Sequence, residues 1–161
     1  RERLEAFNEQ GIEGLIVDLR YDAGGLLDKA VDICDFFLPE GKLIVFLMTS
    51  GPSTPQRCAT PFYLGSLLAA MDCDVRIFFT MEGVKLLEKG VPENLTAMKG
   101  GKYIHTFMQE AKRAGVQFLG CKPALPGFEL EPAELIDEVD DVINAGALAD
   151  LIVTCDKLIT F

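Results

Sequence analysis

Short apolar runs alternate along this chain with longer segments in which apolar residues recur at helical spacing. The runs predict β-strands at residues 15–19, 42–49, 75–80, 116–119, 139–143 and 157–161. The periodic segments predict helices at residues 2–10, 26–37, 55–71, 83–89, 103–114, 131–138 and 148–155. This alternation is typical of an α/β fold with a mostly parallel sheet, and it predicts one domain over residues 1–161.

The first two strands and the helix between them fit into about 35 residues, which predicts a βαβ unit. Such a unit has parallel strands and a right-handed crossover. We therefore expect strand 15–19 to lie parallel to strand 42–49 and to add a βα unit to the sheet. Residues 91–102 show no periodicity and contain Pro92 and paired glycines, so we interpret them as a loop.

The chain has 161 residues and a formal net charge of −10, which argues against nucleic-acid binding and against anionic membrane surfaces. Its five cysteines are widely spaced and form no CxxC motif, and the single histidine, His105, has no second ligand at metal-binding spacing. We therefore expect free thiols, no metal, no cofactor and a cytoplasmic location.

Cys121 is the most prominent candidate for chemistry. Strand 116–119 is apolar, Gly120 allows a turn, and Pro123 and Pro126 prevent the strand from continuing. The thiol is thus expected in a loop just beyond the carboxyl end of a central strand, where open α/β sheets place their sites. The alternative is that Cys121 is a small buried apolar residue, and the spacing leaves both interpretations open.

Two other strand ends are expected at the same edge of the sheet. They would provide Ser50, Gly51 and Thr80, which with Lys122 we predict to line a shallow substrate-binding pocket beside the thiol. A thiolate is the reactive form of cysteine, and the amino end of a helix following Cys121 could favour it.

His105 is the only histidine available as a catalytic acid or base. Its alternative is a structural role, as a residue at a helix start that is hydrogen-bonded to a neighbouring loop. Among the other thiols, Cys34, Cys58 and Cys155 fall on helical faces and are interpreted as packing residues. Cys73, at a helix end, is the second reactive candidate.

From about residue 43 to residue 161 the chain resembles the DsrE/DsrF-like family of small sulfur-handling proteins. The motifs that carry the resemblance follow the family order: TSGP at 49–52, ATPF at 59–62, DVRIFFT at 74–80, EGVKLL at 82–87, GG at 100–101, IH at 104–105, the cysteine with ELID at 134–137, and DKLITF at 156–161. The resemblance implies a flavodoxin-like three-layer sandwich that assembles into trimers or hexamers. It also implies that Cys121 carries sulfur as a persulfide, exchanged with donor and acceptor proteins.

Residues 1–45 instead resemble tail-specific, or C-terminal processing, serine peptidases, through GLIVDLR at 14–20, GGLLD at 24–28 and FLPEG at 37–41. Asp22 and Ala23 stand where that family has Asn and Pro. Ser66 and Lys85 lack the peptidase's surrounding pattern, so we expect no peptidase activity. Strand 42–49 fits both families, which suits a natural fusion or an engineered chimera.

The main hypothesis is therefore a sulfur carrier or sulfurtransferase that acts through Cys121. Its rival is a chimeric scaffold, natural or designed, that binds or supports other molecules and has no enzymatic activity. A nucleotide- or flavin-binding domain is a third interpretation, which depends on fold analogy alone.

Overall fold

The computed structural model describes residues 41–161, so the predicted elements at residues 2–10, 15–19 and 26–37 lie outside the described part. The described strands are β1 (Leu43–Met48), β2 (Asp74–Phe79), β3 (Gln117–Cys121), β4 (Asp141–Ile143) and β5 (Lys157–Thr160). The described α-helices are α1 (Thr60–Ala70), α2 (Ile104–Arg113) and α3 (Ala145–Thr154).

The five strands form one sheet in the order β4-β3-β2-β1-β5, and each neighbouring pair is parallel. β1 and β2 pair without interruption from Leu43 opposite Asp74 to Met48 opposite Phe79. The apolar runs of the sequence explain this, because a strand covered on both faces needs apolar residues at successive positions. The predicted α/β class with a mostly parallel sheet is confirmed.

One face of the sheet is covered by α1 and α2, and we call it the helix-pair face. A Cβ atom added to Gly65 of α1 would lie 3.7 Å from the ring of Phe46 on β1. Phe62 of α1 packs against Phe79 and Phe118, with ring centroids 6.0 and 5.6 Å away. These rings are fully buried and form the centre of the core.

The opposite face, here called the α3 face, carries the last helix. Leu119, which follows Phe118 and so points the other way, lines a groove together with Ala147 and Leu151 of α3. Helices therefore cover both faces, and the described residues form the three layers that were predicted. Within residues 41–161, none of the helices has the length and apolar character needed to cross a bilayer.

The connection from β3 to β4 contains no α-helix, so the predicted helix at 131–138 is wrong. The structure has only 3-10 turns at Pro126–Phe128 and Pro132–Glu134. Leu135 then forms an antiparallel bridge with Glu88, and the Ile136 amide donates to the Leu87 carbonyl at 2.8 Å. These pairings replace the hydrogen bonds of a helix that would be too short to be stable alone.

Two polar contacts fasten this connection to α2. His105 Nε2 lies 2.9 Å from Glu138 Oε1, and Lys112 Nζ lies 2.6 Å from Asp140 Oδ2. The Asp140 carboxylate also accepts a hydrogen bond from the Phe118 amide, at 2.6 Å. The extended segment is therefore held to both α2 and β3.

Other predicted boundaries shift by small amounts. The helix expected at 83–89 is a 3-10 helix, Met81–Leu87. The helix expected at 55–71 is divided into a 3-10 turn, Pro55–Arg57, and α1. Residues 91–102 contain neither a helix nor a strand, as predicted.

We expect Phe62→Ala to lower the free energy of unfolding by about 3–5 kcal/mol, because it removes a buried ring from the aromatic cluster. Tyr63→Ala is the matched control, since the neighbouring Tyr63 side chain is 42% exposed and its loss should cost far less. Urea denaturation of both variants measures the difference. Equal losses would contradict the packing described for α1.

Candidate functional site

The site forms where β1, β2 and β3 end, at the carboxyl edge of the sheet. The Thr80 amide donates to the Met48 carbonyl at 3.0 Å, which continues the pairing of β1 with β2. On the other side, Phe79 at the end of β2 pairs with Gly120, so the next residues, Thr80 after β2 and Cys121 in β3, follow at the same level of the sheet. The register thus brings two predicted site residues together.

Cys121 is the last residue of β3 and is only 9% exposed, so the prediction that it lies in a loop is wrong. β4 provides the reason: Cys121 pairs with Ile143, and the Lys122 amide donates to the Ile143 carbonyl at 2.9 Å. The chain turns immediately afterwards, because the Cys121 carbonyl accepts the Ala124 amide at 3.0 Å. The thiol thus lies at the rim of the sheet with little exposure to solvent.

The helix terminus near Cys121 belongs to α3, so the prediction that a helix directly after the cysteine provides it is wrong. Ile143, the strand partner of Cys121, is followed by Asn144, whose Oδ1 accepts the Ala147 amide at 3.0 Å and caps α3. Side chains two residues apart in a strand share a face, so Cys121 lies on the α3 face with Leu119. No acidic residue occupies the first turn of α3, so this end of the helix favours a nearby negative charge.

The start of α3 at this edge of the sheet is not among the features predicted from the sequence. An Asn before an apolar periodic segment is a recognisable N-cap signal. The position of this helix end beside Cys121, however, depends on the pairing of β3 with the three-residue strand β4. The order of elements along the chain does not reveal that pairing.

Ser50 and Gly51 lie in the loop after β1, which packs directly against the loop after β2. A Cβ atom on Gly51 would overlap the Glu82 carbonyl oxygen, and one on Gly83 would overlap the Met48 carbonyl oxygen. The Ser53 amide and hydroxyl both donate to the Glu82 carboxylate. Because the backbones are in contact, these two loops form one rigid rim beside Thr80.

The remaining predicted binding residues differ in exposure. Ser50 is 6% exposed, and its backbone amide is bonded to the Phe161 carbonyl at 3.2 Å. Lys122 is exposed, with its backbone amide held by β4. Lys122 is therefore the predicted site residue whose side chain is open to an incoming molecule.

His105, the second residue of α2, is bonded through its ring to Glu138. This is the contact expected of the structural alternative, and the acid–base role of His105 stays a prediction. Ser66, the candidate peptidase nucleophile, bonds through its hydroxyl to the Phe62 carbonyl of its own helix at 2.9 Å.

The other described thiols are in surroundings that disfavour the thiolate. Cys58 is fully buried, and burial together with the nearby Glu82 carboxylate raises its pKa to about 12. Burial also raises the pKa of Cys73 and of Cys155, to which Asp72 and Asp156 respectively add a further increase. Cys34 lies outside the described residues.

A groove of about 480 Å³ lies on the α3 face, between α3 and strands β2, β3 and β4. Arg76, Asp140, Asp141 and Asp150 contribute its charged lining, and the predicted site residues lie outside it. Among residues 41–161, no group of three or more His, Cys, Asp and Glu side chains is arranged to hold a metal ion.

Comparisons with known proteins give the family of this region through a family model and its fold through solved structures. The model described as "DsrE/DsrF-like family" matches residues 42–161. The solved structure of the ychN protein from E. coli is 20% identical, with a TM-score of 0.61, and the match covers 75% of this chain and 99% of that one. A second structure, protein of unknown function MTH1491 from Methanobacterium thermoautotrophicum, is 14% identical, with a TM-score of 0.55 and coverage of 76% and 100%. A search of curated proteins gave no significant match.

The matched residues begin at Lys42, so the peptidase-like motifs before that point lie outside the family match. They also lie largely outside the described residues.

We expect Gly83→Ala to destabilise the protein by about 1–3 kcal/mol, because the added methyl group would overlap a backbone carbonyl that cannot rotate away. Gly127→Ala is the matched control, since a Cβ atom there meets nothing within 4 Å. Thermal unfolding followed by circular dichroism compares the two. A Gly83→Ala protein as stable as the control would contradict the close packing of the two loops.

Proposed function

Because the chain belongs to the DsrE/DsrF-like family, which is generally associated with sulfur relay, we propose that it is a sulfur carrier or sulfurtransferase that accepts sulfur on Cys121. The observation that carries the proposal is the position of this thiol: it ends a central strand, level with Thr80 and on the same sheet face as the amino end of α3.

The proposed chemistry needs no oxidant or reductant. The Cys121 thiolate attacks the terminal sulfur of a donor persulfide or polysulfide, a new S–S bond forms, and the donor's S–S bond breaks. The donor leaves as a thiolate, and Cys121 holds the transferred sulfur as a persulfide anion. An acceptor thiolate or other nucleophile then attacks that outer sulfur, which releases the Cys121 thiolate.

The surroundings of Cys121 suit a bound anion of this kind. The first turn of α3 presents backbone N–H groups and no carboxylate, an arrangement that typically stabilises a nearby negative charge by about 0.3–1 kcal/mol. The side chain of Lys122, the next residue in the chain, is exposed and adds a positive charge at this rim of the sheet. This modest stabilisation suits stoichiometric uptake by a carrier better than rapid turnover.

The proposal includes protein partners that deliver and remove sulfur, and assembly into a trimer or hexamer. Met81, which follows Thr80, is 61% exposed and offers an apolar contact at the rim of the site. A donor protein that docks there would reach the end of β3 without crossing the sheet.

The competing interpretation is a scaffold, natural or engineered, that has no sulfur chemistry. The low exposure of Cys121, 9%, is the observation that favours it. The two interpretations differ in a single measurable property, which is whether Cys121 takes up sulfur.

We expect the reduced protein, incubated with polysulfide, to gain about one sulfur atom per chain on the peptide that contains Cys121. Cys121→Ser should abolish this gain, while Cys155→Ser, which removes the most exposed of the four described thiols, should leave it unchanged. Alkylation followed by peptide mass spectrometry locates the added sulfur. Loading confined to Cys73, or undiminished in Cys121→Ser, would leave the scaffold interpretation in place.

A further inference from the structure

β5 lies at one end of the sheet, opposite β4. Its outer edge has no partner strand among the described residues. Each of its four residues, Lys157–Thr160, is exposed, and the apolar Leu158 and Ile159 are 41% and 39% exposed. The strand contains no proline, and Lys157 is its only charged residue. Such an edge offers unpaired backbone groups to any further strand.

The hydrogen bonds to β1 show which amides face the open edge. The Phe161 amide donates to the Leu47 carbonyl, and the Phe161 carbonyl accepts the Thr49 amide, both at 2.9 Å. Backbone groups of successive residues in a strand point to opposite edges, so those of Leu158 and Thr160 point away from β1.

The sheet order also restricts where a strand formed by residues 15–19 could pair. β1 already has β2 on one side and β5 on the other, so it has no edge left. Residues 20–42 must connect such a strand to β1, and these 23 residues exceed the dozen or so that a parallel crossover needs. The nearest open edge, one strand away from β1, is that of β5.

We propose that residues 12–40 dock as a βα unit on this edge, with residues 15–19 paired in parallel with β5, so that the order becomes β4-β3-β2-β1-β5 followed by the added strand. In this order, the chain crosses from the added strand to β1 in the same direction along the sheet as it crosses from β1 to β2. A right-handed connection therefore places the predicted helix at 26–37 on the helix-pair face, beside α1.

The side chains on both partners fit this arrangement. Ile159 pairs with Phe46, whose side chain lies on the helix-pair face, so Ile159 is directed to the position that the predicted helix would cover. If Leu15 aligns with Lys157, then Leu15, Val17 and Leu19 share that covered face, and Asp18 lies on the other. A shift of one residue would put Asp18 under the helix, so the apolar pattern selects the first register.

A second copy of the chain could occupy the same edge, but residues 15–19 are covalently linked to β1 through only the 23 residues 20–42. Linked segments of this kind act at effective concentrations in the millimolar range, which favours the intramolecular partner. The proposal depends on the sheet topology and is independent of the proposed sulfur chemistry.

Amide hydrogen exchange followed residue by residue in the full chain tests the proposal. We expect the outward-facing amides of Leu158 and Thr160 to exchange at least about 100-fold more slowly than unstructured amides, with protection also within residues 15–19. Fast exchange at Leu158 and Thr160 in the unaltered protein would overturn the proposal without any variant.

Val17→Pro removes a backbone donor from the added strand and should abolish the protection of Leu158 and Thr160, while Phe161, which faces β1, stays protected. Ala23→Pro, which lies between the predicted strand 15–19 and the predicted helix 26–37, is the matched control and should leave all of these amides unchanged. Protection that survives Val17→Pro and rises with protein concentration would assign the edge to a second copy and overturn the proposal.

Discussion

The uninterrupted parallel pairing of β1, β2 and β3 is the constraint on which the rest of the structure depends. It determines which side chains face α1 and α2 and which face α3, because each residue alternates with its neighbour. It also makes the three strands end at one level. The position of Cys121 beside Thr80 is a consequence of that register.

The fold could be predicted from the sequence to a large extent, because its strongest signals come from burial. The apolar runs that became β1, β2 and β3 are the parts of the sheet covered on both faces, and their prediction is confirmed. The alternation of these runs with helical segments was enough for the α/β class. The DsrE/DsrF-like resemblance over the same region is confirmed by the family match to residues 42–161.

The candidate site was less predictable, because it depends on contacts between segments far apart in sequence. The acidic segment at 131–138 has the composition of a short helix, yet Leu135 and Ile136 form backbone hydrogen bonds with residues around Leu87. Likewise, the helix end beside Cys121 is contributed by α3 through the short strand β4. No local pattern reports which distant strand will be a neighbour.

The pairing of β5 with β1 has a consequence for how the sheet assembles. β1 pairs with β2 across 31 positions of sequence, from Leu43 to Asp74, but with β5 across 113, from Ile44 to Lys157. The chain entropy lost in closing the longer loop is greater by about 1 kcal/mol, and non-local pairings of this kind slow folding. β1, whose interior is among the most apolar stretches of the chain, therefore gains its second neighbour late. During refolding, its open edge is therefore available to pair with another copy of the chain.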